Sequence, residues 1–385
     1  MTDMPALDSA FLPAGIRSRF VDDINGLRMH ILEAGHGVPG RPCVLLLHGF
    51  PELAYSWRKI MLPLSAEGFH VVAPDQRGYG RTTGWSADYD GDLPSFRLLS
   101  IARDALGLVF ALGHRSVAAV VGHDFGSPVA AWCALVRPDI FPAVVLMSAP
   151  FPGPPWLPFD TVNAAPRRAA GPSIHDALAS LDRPRKHYQW YYSTRQANAD
   201  MHRCPQGVHD FLRAYFHYKS ADWPGNTPFP LKSWTAEELA KLPTYYIMDR
   251  AKNMAETVAP EMPSLQRIAA CHWLPDSELR VFSTEFARTG FQGGLQWYRC
   301  RTENVDTSEL QLFSGRTIDV SAMFVAGRSD WGVYQVPGAI DRMQKIACTN
   351  MIGCHLVAGA GHWVQQEQPE RTTELLIRFL RSLGQ

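Results

Sequence analysis

The 385 residues balance 37 Lys+Arg against 37 Asp+Glu, and no basic run is present to meet nucleic acid or an anionic membrane. Hydrophobic residues at 46% and charged residues at 19% exclude a disordered chain. The length points to one large domain, or one domain carrying a sizeable insertion.

The opening MTDMPALDSAFLPAG holds two acids and no apolar core, so it does not read as a signal peptide. Residues Arg17–Asp22 and Arg28–Leu32 read as two strands joined at Asn25-Gly26, a hairpin signal. Val44–Leu47 is a short unbroken apolar run, the mark of a parallel strand buried on both faces. A helix over Tyr55–Ala66 leads to a second such strand, Val71–Pro74, and helical spacing returns over Ile101–Leu112. Val117–Val121 is a third buried strand, Pro128–Val136 a helix and Ala143–Met147 a fourth strand.

The alternation then stops. From about Pro150 to about Ile318 the chain is rich in Pro, Trp, Tyr and charged helical stretches, with no buried strand pairs. It resumes with strand Ala322–Val325, a helix near Pro337–Ile346, strand Cys354–Val357 and an amphipathic helix Pro369–Leu383. Such alternation predicts an α/β fold with a mostly parallel, doubly wound sheet. The expected organisation is a core of residues 1–149 and 319–385, interrupted between late strands by a mainly helical cap of residues 150–318. No stretch approaches about 18 apolar residues, so no membrane span is expected. The seven cysteines are odd in number, scattered, and free of metal-ligand spacing. They read as free thiols of a reducing compartment, and the expected location is cytoplasmic.

Gly122-His123-Asp124-Phe125-Gly126 lies between a buried strand and a helix, the G-x-nucleophile-x-G elbow with Asp124 in the nucleophile position. No G-x-S-x-G occurs, so a serine esterase has no candidate elbow. A nucleophilic carboxylate needs a base for its second step, and the base needs an orienting acid. In this type of fold the acid and the His follow in that order, on loops beyond late strands. Asp330, in Gly327-Arg328-Ser329-Asp330-Trp331-Gly332, and His362, in Gly361-His362-Trp363, stand in that order. His48-Gly49-Phe50-Pro51 follows the first buried strand, at the position of an oxyanion loop. The backbone N–H groups of Phe50 and Phe125 are the expected oxyanion donors, and Pro51 is a candidate cis residue. His48 and His123 read as structural hydrogen-bonding residues, and Asp75 and Arg77 as a scaffold ion pair.

With these motifs on the page, the sequence resembles the α/β-hydrolase-fold epoxide hydrolases over most of the chain. The matching stretches are His48–Pro51, Tyr55–Arg58, Asp75–Gly80, Gly122–Gly126, Gly327–Gly332 and Gly361–Trp363. The resemblance implies two cap tyrosines whose hydroxyls hold and protonate the epoxide oxygen. His187-Tyr188-Gln189-Trp190-Tyr191 points to Tyr188 for the first, with Tyr191 and Tyr192 as rivals. The longer match, Gly290 through Arg299, points to Tyr298 for the second, with Gln296 where Asn is usual. Phe125 stands where Trp is usual in this family and in haloalkane dehalogenases, and neither it nor Phe50 has a side-chain donor for a halide. The Arg that fluoroacetate dehalogenases carry after the nucleophile is also absent.

The implied activity is opening of an epoxide to a vicinal diol through an ester on Asp124, hydrolysed by water that His362 activates, with no metal or organic cofactor. The partners are a small apolar epoxide and water, with the protein a monomer or homodimer. The pocket is expected between sheet edge and cap, lined by Phe50, Trp57, Phe125, Trp190 and Trp331. Two alternatives stay open: a haloalkane or haloacid dehalogenase with the same nucleophile, and a non-catalytic binding scaffold.

Overall fold

The computed structural model describes residues 4–157 and 173–384. Residues 1–3 of the opening stretch, residues 158–172 of the expected cap, and residue 385 lie outside it. Eight strands form one sheet: β1 (Ile16–Ile24), β2 (Leu27–Ala34), β3 (Cys43–Leu47), β4 (His70–Pro74), β5 (Val117–His123), β6 (Ala143–Met147), β9 (Ser321–Gly327) and β10 (Met351–Val357). Their order is β1-β2-β4-β3-β5-β6-β9-β10. The β1–β2 and β2–β4 pairs are antiparallel and the rest parallel. Every residue of β3 and β6 is buried, as expected where helices cover both faces of a parallel sheet. The β1–β2 turn places Asn25 and Gly26 at φ 50° and 83°, the twist that closes a two-residue hairpin.

Helices Arg58–Ala66, Leu98–Ala111, Gly126–Val136 and Pro369–Ser382 flank the sheet close to their expected positions. The first is preceded by a separate tight turn, Ala54–Trp57. The helix expected near Pro337–Ile346 is divided into an α turn, Ala339–Arg342, and a wider π turn, Met343–Ala347.

Between β6 and β9 lie mostly helices, notably Tyr188–Tyr192, Gly207–Lys219, Asp276–Thr289 and Gln292–Thr302. One expectation fails here. Within this segment β7 (Arg185–His187) and β8 (Ile247–Asp249) form a two-stranded antiparallel sheet. Three residues per strand carry too little alternation to register, and the pairing joins positions far apart in the chain.

A second expectation also fails: Asp75 and Arg77 do not pair. Asp75 takes His30 of β2 at 2.7 Å, while Arg77 makes a bidentate pair with Asp104 at 2.7 and 2.9 Å. The two side chains leave the chain toward different neighbours, β2 and the helix Leu98–Ala111, and each is satisfied there.

The β1–β2 hairpin is tied to the sheet through one buried acid. Glu33 accepts from Arg17 at 2.7 Å and from Arg19 at 2.5 Å on the paired strand, and meets His70 Nε2 at 3.1 Å on β4. Burial pushes the Glu33 carboxyl up, but His70, Arg19 and Arg17 outweigh it and hold it at about 2. A depressed carboxylate contributes stability that is full above its unfolded value of 4.5 and is lost as pH falls through about 2. Glu33→Gln is therefore expected to lower stability by up to ~3 kcal/mol at neutral pH. The difference from the parent should shrink between pH 4.5 and 2, as read from denaturant midpoints across that range.

Candidate active site

Asp124 follows β5 directly and adopts φ 52°, a left-handed conformation uncommon outside glycine and better tolerated by Asp than by most residues. The elbow is tight because the strand and the helix Gly126–Val136 touch. A Cβ on Gly122 would strike the Gly126 carbonyl, and one on Gly126 would strike the Leu47 carbonyl of β3. The turn holds the Asp124 side chain clear of the sheet, above the carboxyl ends of β3 and β5, with two residues between β5 and the helix.

Three loops converge on it. Phe50, after β3, donates its backbone N–H to Asp124 Oδ1 at 2.9 Å, and the Phe50–Pro51 peptide is cis. His362, after β10, turns Nε2 toward Asp124 Oδ2 at 3.2 Å. The contact lacks hydrogen-bond alignment, so Nε2 keeps no bonded partner among the described residues. Asp330, after β9, accepts from His362 Nδ1 at 3.0 Å and from the Gly332 N–H at 2.7 Å, so it also caps the turn Trp331–Val333. Asp124, Asp330 and His362 are 8%, 2% and 1% exposed.

Burial alone would raise both carboxyls. At Asp124 the His362 imidazole and then the Lys219 ammonium overturn it and hold the acid well below its ordinary range. At Asp330 the same imidazole lowers it. The arrangement offers an ionised carboxylate, an imidazole oriented by a second carboxylate, and a backbone donor on the first.

Behind this trio lies a second acid–imidazole pair that residue patterns did not single out. Glu52 accepts from His123 Nδ1 at 2.5 Å and from the Gln365 and Gln366 amides at 2.9 and 3.2 Å. Burial pushes His123 down, but the Glu52 charge raises it overall, and its Nε2 meets the His362 carbonyl at 2.7 Å. The His362 N–H in turn donates to the Lys219 carbonyl at 2.9 Å. His362 is thereby held through its backbone at both ends. Glu52 directly follows the oxyanion motif, the one signal that could have found it. His48 is occupied structurally: its Nδ1 donates to Gly49 O at 2.9 Å and its Nε2 accepts from the Gln76 N–H at 3.1 Å.

The segment between β6 and β9 supplies a roof of rings. The Tyr298 ring lies 5.0 Å from that of Phe125, 5.6 Å from Phe50 and 5.9 Å from Tyr188, centroid to centroid. Burial and then the Asp124 charge raise the pKa of both Tyr188 and Tyr298. The Tyr188 hydroxyl donates to Gln335 at 3.2 Å and accepts from the Gln189 amide at 3.1 Å. The rivals are engaged elsewhere: Tyr191 donates to Asp200 at 2.8 Å and Tyr192 to Tyr215 at 3.1 Å. Gln296 accepts from Gln292 and Arg299 and donates to the Asp88 carbonyl, a packing role.

A cavity of about 460 Å³ opens beside Phe125, bordered by Trp132, Phe151, Gln189, Val333, Gln335 and Val336 among others. None of the three tryptophans expected to line a pocket borders it. Trp57 is wholly buried next to the helix Arg58–Ala66. Trp331 packs on Phe229 at 4.9 Å. Trp190 follows Tyr188 by two positions, about 200° around a helix, and packs on His175 at 4.4 Å and His187 at 4.9 Å.

The described residues contain one group with metal-ligand character, Cys43, His70 and His114, whose ligand atoms lie within 4.8 Å of one another. It sits at the opposite, amino-terminal edge of the sheet. His70 and His114 bond each other at 2.8 Å, and Arg17, Arg19 and Arg41 line the same recess, a field that disfavours a cation.

A model of the alpha/beta hydrolase fold family matches residues 42–369. Epoxide hydrolase A of Mycobacterium tuberculosis is 33% identical, covering 94% of this chain and 96% of that protein. The epoxide hydrolase of Caballeronia sordidicola is 28% identical over 93% of this chain and 92% of its own length. Among solved structures, an epoxide hydrolase from an endophytic Streptomyces superposes with a TM-score of 0.75 at 30% identity, over 97% of each chain. Epoxide hydrolase A from Mycobacterium thermoresistibile gives 0.71 at 31% identity, over 95% of this chain and 98% of that one.

Tyr298 is placed by backbone contact. A Cβ on Gly293, in the first turn of the helix Gln292–Thr302, would run into the backbone of Gly78, and Trp297 Nε1 donates to the Arg77 carbonyl at 3.0 Å. Gly293→Ala is expected to destabilise by about 1–3 kcal/mol, because backbone cannot yield as a side chain can. A thermal melt checks it, and a melting point equal to the parent's would mean that the helix can lift at no cost.

Proposed function

Since the chain belongs to the α/β-hydrolase fold family, with epoxide hydrolases as relatives over nearly its whole length, we propose that it opens an apolar epoxide to a vicinal diol through an ester on Asp124. The observation that carries this reading is the position of Asp124, with one carboxylate oxygen on the Phe50 N–H, the other facing His362 Nε2, and the Tyr298 ring packed against Phe50, Phe125 and Tyr188.

In the first step an Asp124 oxygen attacks a ring carbon and the strained C–O bond breaks. The departing oxygen is held by the Tyr188 and Tyr298 hydroxyls and takes a proton from one of them. Tyr188 exchanges its Gln335 bond for the substrate oxygen. Burial suits both tyrosines to this task, because it disfavours free phenolate and keeps the proton on until an alkoxide needs it.

In the second step His362 Nε2 takes a proton from water, and the hydroxide adds to the ester carbonyl of Asp124. Asp330 holds Nδ1 and stabilises the imidazolium. The Phe50 and Phe125 N–H groups stabilise the tetrahedral oxyanion. Collapse releases the diol, whose second oxygen takes the proton from His362. The acid re-formed on Asp124 loses its proton, which balances the one the tyrosine gave.

Residues 1–149 and 319–385 act as the core and residues 150–318 as the cap. The cavity beside Phe125, walled mainly by apolar side chains, suits the hydrocarbon part of the substrate. A halide would find no indole N–H at position 50 or 125, and Trp297 spends its own on Arg77. In all seven cysteines the thiols are free, which supports a reducing compartment, and no helix among the described residues is long and apolar enough to cross a membrane.

Styrene oxide, epoxy fatty esters, 1-bromobutane and p-nitrophenyl acetate, with diol, halide and phenolate assayed in parallel, test the reading. Diol is expected from the epoxides and should vanish in Asp124→Ala; halide without diol would replace the reading with a dehalogenase. A variant lacking the His362 imidazole should stop at the ester, seen as added mass on the intact protein. Tyr298→Phe is expected to slow ring opening by on the order of 10²-fold, as loss of one oxyanion donor does elsewhere. Pre-steady-state rates of ester formation check it.

A further inference from the structure

Lys219 ends the helix Gly207–Lys219 and is 3% exposed, and no other lysine among the described residues is buried. Its Nζ lies 5.3 Å from the Tyr215 ring centroid, 5.8 Å from Tyr245, 5.0 Å from Tyr246 and 5.4 Å from Trp363. Four rings thus enclose one ammonium, and cation–π attraction is strongest for a desolvated charge such as this. Burial lowers its pKa from the ordinary lysine value, and the charges of Asp124, Asp330 and Glu52 act against that shift. Among the described residues, no carboxylate closes a direct ion pair with it. Its carbonyl receives the His362 N–H, so the backbones that carry the ammonium and the active-site imidazole are joined by a hydrogen bond.

A buried cation held by rings acts at a distance. A contact ion pair would have neutralised Asp124; a caged ammonium leaves the carboxylate free and still lends it a field, which a dry surrounding screens weakly. Lysine suits the position because its charge is compact, and the ring faces accept it without demanding a hydrogen bond in one fixed direction.

The consequence differs in sign between the two half-reactions. During ring opening, negative charge leaves the Asp124 carboxyl for the epoxide oxygen beneath the tyrosines. A fixed positive charge near Asp124 favours the starting carboxylate and restrains this step. During hydrolysis a neutral ester acquires negative charge on that same carboxyl, and the same field favours the transition state. We propose that Lys219 is a positioning residue that acts through Asp124, holding back ester formation and speeding ester hydrolysis, so that the covalent intermediate does not accumulate. This rests on the ester reading given above.

Lys219→Met keeps most of the side-chain volume without the charge, and Lys219→Gln serves if the methionine variant does not fold. Each is compared with the parent and with Lys219→Arg in single turnovers of styrene oxide. Rapid quench followed by intact-protein mass gives the rates of ester formation and decay separately. Removal of the charge should leave ester formation as fast as in the parent or faster, and slow ester decay by on the order of tenfold or more. Ester would then accumulate, and Lys219→Arg should return the ratio of the two rates toward the parent's. Slowing of both steps by the same factor, or no change in their ratio, would overturn the assignment and leave Lys219 as packing. Diol from the parent without any ester on Asp124 would instead overturn the ester reading itself, and this assignment with it.

Discussion

Asp124 holds a full negative charge where water barely reaches, and that burden shapes everything around it. An isolated carboxylate removed from water costs several kcal/mol, of order 5, and in most places would protonate instead. Here the charge is met from several sides: by the Phe50 N–H at 2.9 Å, by the His362 imidazole at 3.2 Å, by the ammonium of Lys219, and by the start of the helix Gly126–Val136. Each donor must be aimed, and aiming requires that Asp124 itself not move. Its left-handed φ of 52° is sustained because strand and helix are pressed together at Gly122 and Gly126, with no volume for the turn to relax.

The same requirement is met where the roof and the sheet join, by a buried side-chain clamp and by close backbone approaches. Glu367 gathers the N–H groups of Ala221, Gly361 and Trp363 at 2.8–2.9 Å, clamping the end of the helix Gly207–Lys219 onto the loop that carries His362. A Cβ on Gly361 would collide with the backbone of residues 219–221. On the other side, the helix bearing Tyr298 rests on the Gly78 backbone. The loop of His362 and the helix of Tyr298 are therefore each fixed by a close backbone approach. Ring contacts of 5.0–5.9 Å among Phe50, Phe125, Tyr188, Tyr192 and Tyr298 fill what remains. Phe125 serves here as an edge-to-face support for Tyr298 and Trp297.

Much of this was legible along the chain because it is local. Unbroken apolar runs announced β3 through β6, an Asn-Gly announced the hairpin, and two glycines around one acid announced the elbow. The order of Asp124, Asp330 and His362 followed from loops that succeed recognisable strands, whereas Tyr298 was pointed to only by family resemblance over Gly290 through Arg299. Local patterns failed where a side chain had two plausible neighbours. Asp75 and Arg77 are close in sequence, yet each found a better partner across the fold, in His30 and Asp104. Trp190, two residues from Tyr188, is turned outward by helical geometry, away from the cavity an aromatic residue was expected to line.

The sequence by itself determined the strand-helix alternation, the elbow and the identity of the residues that meet above the sheet, because periodicity and tight turns depend only on near neighbours. Tertiary structure alone decided which rings gather around Phe125 and Tyr298, that Glu52 and His123 stand behind His362, and that one lysine lies buried among four rings. A lysine at the end of an amphipathic helix reads as solvent-exposed until the elements that cover it are known. Tyr245, Tyr246 and Trp363 come from distant parts of the chain, and burial of a charge is a property of the assembled neighbourhood, not of the residues beside it.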